Sequence, residues 1–416
     1  MNKRKFIKSL AVLGLTTPLF SSETAAHSWG SLDFNAIDFW DQIRSEYKLK
    51  PDYINLENGY YCFLPEQTLE KYIAHIRELN YQGSHYMRTV QWENKAKSAA
   101  RLAELVGASP EEIVLTRNTT ESLDLIISGY PWKSGDEAIA SNQDYGSMLS
   151  MFDLQAKRSG IKINRIDIPM HPEDDEEIVA AYEKAITSRT KLMMIPHIVN
   201  ITGHILPVKK IVTMAHGHGV EVMVDGAHAV GHFEFSISDL GCDYYGSSLH
   251  KWLSVPLGAG MLYVKKDHIS KLEPLLAPFD LKMDTIKYLN HIGTHPVTTD
   301  LAVLDAIDFH ENIGAKRKED RLRYIQRYWS DQVRGLPGIQ VNTPMDPLRS
   351  CGIANVGVES MSPAEMAKTL IDTYKIFTVA IDSEGVKGCR ITPNLYTTTG
   401  ELDQFVAALK GMSRNS

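Results

Sequence analysis

A lysine amine becomes a nucleophile only when its proton is removed, and Lys251 stands where that is feasible. In Tyr244-Tyr245-Gly246-Ser247-Ser248-Leu249-His250-Lys251-Trp252, an apolar strand ends in Gly-Ser-Ser and presents the lysine between His and Trp. Partial burial beside other cationic groups lowers a lysine's pKa and opens imine formation with an aldehyde. The hydroxyls of Ser247 and Ser248 suit phosphate oxygens. One strand-and-turn step earlier, an apolar run at 220–224 enters Asp225-Gly226-Ala227-His228 directly. An Asp at a strand's end can hold a ligand's cationic nitrogen, and the glycine lets the backbone turn. A third segment reads Ile113-Val114-Leu115-Thr116-Arg117-Asn118-Thr119-Thr120-Glu121. A strand, a short polar loop and a helix starting near Thr119 or Thr120 make an anion site from free N–H groups, the helix dipole and hydroxyls. Taken singly, these are an exposed lysine, a turn Asp and an ordinary helix cap. Their order along one chain favours a shared site. His216, His218, His228 and His232 raise a zinc reading, but no HExxH or Cys/His ligand pattern accompanies them, and no metal is expected.

These residues need elements to position them. Short apolar runs at 113–115, 138–140, 163–168, 192–195, 220–224, 243–246 and 261–264 alternate with amphipathic stretches. Strands alternating with helices predict an α/β fold with a mainly parallel sheet, whose ligands sit beyond the carboxyl ends of the strands. After residue 296 the texture changes. One long helical segment is expected at 299–333, then strands near 353–358 and 377–380, with helices at 363–373 and 401–412. The expected organisation is a segment at 27–65 packing near the small domain, a large domain at 66–296, and a small α+β C-terminal domain at 297–416.

Residues 1–26 are set apart: a basic start, MNKRKFIK, an uncharged apolar run at 9–20, then Thr24-Ala25-Ala26. This pattern reads as an export signal, too short in its apolar part for a stable membrane span. Lys3-Arg4-Lys5-Phe6 is twin-arginine-like, with Lys in place of the first Arg. Periplasmic or exported localisation is therefore expected, or cytoplasmic if the signal does not function. A net charge of −7 gives no electrostatic reason to expect nucleic acid or an anionic membrane as partner. The four cysteines, Cys62, Cys242, Cys351 and Cys389, show no CxxC spacing and are expected as buried free thiols.

In that order, Asn-Thr-Thr-Glu, Asp-Gly-Ala-His and Ser-x-His-Lys resemble the class V aminotransferase family of fold-type I enzymes that use pyridoxal 5′-phosphate (PLP), in the isopenicillin-N-epimerase-like branch with its exported siderophore-tailoring members. The resemblance implies a fold-type I PLP-transferase architecture and a PLP Schiff base on Lys251. It implies Asp225 at the pyridine nitrogen, His228 close to both, and Thr119, Thr120, Ser248 and His250 around the phosphate. Tyr145 would stack on the ring and Asn200 would bond its hydroxyl. Thr294, after Gly293, would reach the neighbouring subunit's cofactor in a homodimer. Arg390 would bind a substrate carboxylate, and Asn58 would lie at the substrate-entry turn.

The reaction expected is an aminotransferase type on an amino acid or peptide-linked amino acid, with tailoring of a secreted peptide or siderophore in view. An epimerase or lyase is the nearer alternative, and a non-catalytic ligand-binding protein the more distant one. Sulfur mobilisation is disfavoured. It requires a nucleophilic Cys on a loop before the carboxylate-binding Arg, whereas Cys389 adjoins Arg390 directly.

Overall fold

Runs of branched and aromatic residues bounded by Gly, Asp and Ser form the strands, and the amphipathic stretches between them coil into helices. The computed structural model describes residues 37–279 and 285–414; the expected export signal at 1–26 lies outside the described residues. In chain order the strands are β1 (Ile54–Asn55), β2 (Ile113–Thr116), β3 (Glu137–Ser141), β4 (Lys162–Ile166), β5 (Thr190–Pro196), β6 (Glu221–Asp225) and β7 (Tyr244–Ser248). There follow β8 (Gly260–Val264), β9 (Ile339–Val341), β10 (Ala354–Val358), β11 (Ile376–Phe377), β12 (Val379–Ser383) and β13 (Val386–Ile391).

The large sheet has the order β2-β8-β7-β6-β5-β3-β4. β8 runs antiparallel to both neighbours, and the other pairings are parallel. Parallel neighbours need long crossovers. Helix Gly146–Ser159 joins β3 to β4 and helix Val208–Gly217 joins β5 to β6 in this way, while Thr119–Gly129 and Asp175–Glu183 link strands that are not neighbours. β3, β7 and β8 are buried at every position, as a sheet covered on both faces requires. Leu123, Ile126 and Phe152 from the helices pack with Met194, Met223 and Tyr244 from the strands in one core cluster.

Three strand ends converge at Gly260, which pairs with both Thr116 of β2 and Ser248 of β7. A Cβ on Gly260 would come within 2.6 Å of the Asn118 backbone. The bare glycine therefore lets the N-terminus of helix Thr119–Gly129 settle on the sheet's edge, beside the end of β7.

The smaller sheet is antiparallel, in the order β12-β13-β10-β9. Helix Pro363–Tyr374 beside it starts on a Ser362/Glu365 capping box. The N-terminal segment is stitched to this region. Ile54 N–H donates to Lys375 O at 2.8 Å, and Thr392 N–H donates to Leu56 O at 2.8 Å. That pairing brings the turn at residues 57–60 against Arg390 on β13.

Two expectations differ from the fold. The single helical segment at 299–333 is two helices, Val297–Ile313 and Ala315–Val333, broken at Gly314, whose φ of 94° lies outside the helical range. Strand β13 was not anticipated, because its Lys387 and Gly388 interrupt the apolar pattern. Among the described residues no helix is long and apolar enough to cross a membrane.

Candidate active site

Lys251 follows β7 at the carboxyl end of the parallel strands, where helix dipoles and free backbone groups face a common crevice. Its Nζ lies 3.0 Å from His228 Nε2. On the ring's other side, Trp252 Nε1 donates to His228 Nδ1 at 3.3 Å. An indole N–H can only donate, so Nδ1 accepts and the neutral imidazole carries its proton on Nε2. The 3.0 Å contact is then satisfied by a neutral lysine amine accepting that proton. Both groups are shifted toward their uncharged forms. Burial, reinforced by Lys251, pushes His228 well below the usual histidine range. Burial also brings Lys251 down to about 8, with Asp225 opposing and Arg390 assisting. Trp252 is in turn stacked on His232, ring centroids 3.8 Å apart and planes at 9°.

Asp225 closes β6 with its backbone clamped on several sides. Its carbonyl accepts from His197 N–H at 2.8 Å, and its Oδ1 accepts from Ala227 N–H at 2.9 Å. The next residue can only be glycine, since a Cβ on Gly226 would fall 2.1 Å from the Tyr245 ring. Ser247 Oγ donates to Gly226 O at 2.7 Å, so this hydroxyl braces the turn instead of facing an anion, as its motif had suggested. Burial raises the Asp225 pKa, with Ala227 N–H and then Lys251 opposing. A carboxylate so placed gains from any cationic N–H brought beside it.

The anion-type half of the site is the start of helix Thr119–Gly129. Asn118 caps it by accepting from Glu121 N–H at 2.9 Å. Thr119 N–H donates to Ser248 Oγ at 3.0 Å, and the two hydroxyls lie 2.7 Å apart. Thr119, Thr120, Ser248 and His250 all line one cavity of ≈ 360 Å³ with Lys251, Asp225, His228, Tyr145, Asn200 and Arg390. His250 Nδ1 is 3.3 Å from Ala259 O, and burial followed by Lys251 lowers its pKa. A larger cavity, ≈ 530 Å³, lies elsewhere along residues 49–55 and holds none of these groups.

Two expected residues are not on this wall. Asn58 is fully buried, donating through Nδ2 to Thr392 O at 2.7 Å and accepting through Oδ1 from Tyr396 at 2.6 Å. It holds the turn in shape, and its neighbours Gly59 and Tyr60 form the wall. Thr294, expected at the neighbouring subunit's cofactor, is exposed and is not among the residues that line this chain's cavity. Three contributors carried weaker signals. Trp252 sets the His228 tautomer, Arg117 lines the wall from within the strand–loop–helix motif, and Glu57 grips Arg390. Adjacency to a motif marks such residues, but only their contacts give them roles. Arg390 Nη2 is 2.7 Å from Glu57 Oε1, and Nε is 3.4 Å from Oε2.

Cysteine chemistry is held away from the cavity. All four thiols are free and buried, and none lines it. Burial pushes Cys62 and Cys351 up to about 12 and Cys389 to about 11. His216 and His218 pair with Asp243 and Glu183 at 2.8 and 2.9 Å. Among the described residues no cluster of His, Cys, Asp and Glu is arranged to hold a metal.

The donor set fits a phosphorylated aromatic aldehyde with a protonatable ring nitrogen. It offers an amine of lowered pKa for the aldehyde, a buried carboxylate for the nitrogen, and a helix N-terminus with hydroxyls for the phosphate. An aromatic and an amide, Tyr145 and Asn200, stand on the wall for the ring and its substituent.

The fold is that of the PLP enzymes of fold-type I. It matches the cysteine desulfurase of Thermococcus onnurineus with a TM-score of 0.79 at 22% identity, over 90% of this chain and 98% of that one. It also matches a C-DES variant with glycine covalently linked to its PLP cofactor, at a TM-score of 0.77 and 21% identity, over 86% of this chain and 96% of that one. The Aminotransferase class-V profile matches residues 64–404, and the chain belongs to that family. Isopenicillin N epimerase of Streptomyces clavuligerus is 26% identical over 91% of this chain and 99% of the epimerase. A probable cysteine desulfurase of Halalkalibacterium halodurans is 27% identical over 73% of this chain and 76% of that protein.

Proposed function

We propose that the protein is a PLP-dependent aminotransferase-type enzyme that uses Lys251 to move protons at an amine-bearing carbon of an amino acid or peptide-linked amino acid. The observation that carries this reading is the Lys251–His228–Trp252 chain beside Asp225, in which an amine of lowered pKa is aimed by a neutral imidazole. PLP supplies an aldehyde for amine capture and a protonated ring that withdraws electrons as a bond at that carbon breaks. Lys251 would hold the aldehyde, Asp225 would keep the ring nitrogen protonated, and Thr119, Thr120, Ser248 and His250 would hold the phosphate. His228 fixes the direction of the lysine amine and removes a competing cation from its surroundings.

The hairpin of β12 and β13 argues against sulfur transfer. It turns through Glu384-Gly385 and carries Cys389 in its buried interior, with no thiol at the turn. An epimerase is the second reading, favoured by end-to-end similarity to the isopenicillin N epimerases. Export through residues 1–26, with peptide or siderophore tailoring outside the cytoplasm, belongs to the same proposal and is tested by fractionation.

Purified protein should absorb near the visible edge, and borohydride reduction with peptide mapping should label Lys251. An amino donor should then convert the cofactor to its aminated form with release of a keto product. Labelling of another lysine ends the site assignment. Inversion at the amine carbon with no keto product would decide for the epimerase.

A further inference from the structure

The cavity wall carries two guanidinium groups, and both are already spoken for within the chain. Arg117 meets Glu121 through Nε at 3.0 Å and Nη2 at 3.2 Å. Arg390 meets Glu57 through Nη2 at 2.7 Å and Nε at 3.4 Å, and its Nη1 is turned to Asn200 O at 3.4 Å. The Arg390–Glu57 pair is shielded, with 10% and 7% of the side chains exposed. Glu57 is anchored from its own turn as well, since Tyr60 N–H donates to its Oε1 at 2.9 Å. Arg390 is also pinned sterically, because a Cβ on Gly59 would lie 2.5 Å from its Cζ. Moving Glu57 aside would strand a buried carboxylate and unmake a bond on each side of it.

A free carboxylate entering this cavity finds no unpaired guanidinium. The remaining basic groups are Lys251, committed to the cofactor in the reading above, and two histidines that burial keeps neutral. It would also meet the Glu57 carboxylate beside Arg390, and the cofactor's phosphate adds negative charge. A carboxamide carries no charge for Glu57 to repel, and its oxygen can accept from an N–H of the guanidinium that Glu57 holds in place. We propose that Glu57 is a specificity-determining residue that reserves Arg390 and selects amines whose reacting carbon bears a carboxamide. The substrate class is then the N-terminal residue of a peptide, or an amino-acid amide, in preference to the free amino acid. This rests on the PLP reading of the same site.

The test titrates the bound-cofactor absorbance of the holoenzyme with side-chain-matched pairs, alanine against alaninamide and leucine against leucinamide, compared per unprotonated amine. The amides should bind at least about tenfold more tightly, and Glu57→Gln should erase most of that ratio by tightening the free amino acids. Free amino acids binding as tightly as their amides to the native enzyme would overturn the proposal. So would an unchanged ratio in folded Glu57→Gln, or a spectrum that no amine perturbs although borohydride labels Lys251. Should Glu57→Gln not fold, the native ratio and that of Glu57→Asp, which keeps the charge and should keep the preference, still decide. Failure to label Lys251 at all would remove the cofactor reading, and this inference with it, and is told apart by that result.

Discussion

At the scale of single residues, the site is a chain of donors with one consistent direction. Trp252 donates a hydrogen bond to His228 Nδ1, which leaves the imidazole proton on Nε2 facing Lys251 Nζ and favours the lysine's amine form. Trp252→Phe removes the first donor and frees the imidazole to adopt the other tautomer. Cofactor should still be trapped on Lys251, but turnover should fall by about tenfold or more, read as kcat with KM little changed. Lys251 itself falls to about 8, so capture of PLP by cofactor-free enzyme should accelerate as pH rises through about 8 and then level off. A solvated lysine would still be gaining at pH 10. Cys389 lies inside β13, far from any role in sulfur transfer. Cys389→Ala should leave the cofactor spectrum and turnover within about twofold of native, at a stability cost of about 1 kcal/mol.

At the scale of elements, the phosphate end depends on how closely helix Thr119–Gly129 approaches the sheet. The 2.6 Å separation that a Cβ on Gly260 would have from the Asn118 backbone leaves no side chain to swing away. Gly260→Ala should therefore move the helix start relative to Ser248. We expect a stability loss of about 1–3 kcal/mol by chemical denaturation, and PLP retention weakened by about tenfold or more in equilibrium dialysis. Much of this level was legible beforehand. The seven apolar runs became the seven strands of the large sheet, because each is short, branched and ended by turn residues. In the small sheet β9 and β13 escaped; β13 has Lys387 and Gly388 in its middle, and its burial comes from β10 and β12 across the sheet. The helix break at Gly314 was equally hidden, since a lone glycine is tolerated inside a helical pattern until packing asks for another direction.

For the molecule as a whole, two lysines, Lys251 on the cavity wall and the buried Lys318, are each brought from 10.5 to about 8, chiefly by loss of water. Lys318 donates to Trp252 O at 2.5 Å, beneath the same segment. Between about pH 8 and 10.5 the unfolded chain binds more protons than the folded one, so cofactor-free protein should gain stability as pH rises through that window. The gain for each lysine is at most about 3 kcal/mol. Lys318→Met should flatten the rise, which thermal denaturation between pH 8 and 9.5 would reveal. An equal slope in the variant would show that Lys318 is charged and solvated in the folded state.

By itself the sequence determined the α/β class, the mainly parallel sheet and the group Lys251, Asp225, Thr119 and Ser248. Those follow from local patterns, in which a strand's end and the residues just beyond it share one short stretch of chain. The tertiary structure alone decided which partners those groups meet. It turned Asn58 inward to Thr392 and Tyr396, gave Ser247 to the Gly226 carbonyl, and closed Glu57 on Arg390 across 333 residues of sequence separation. Contacts of that kind depend on side-chain direction and long-range packing, and neither leaves a periodic or neighbouring trace in the order of the amino acids.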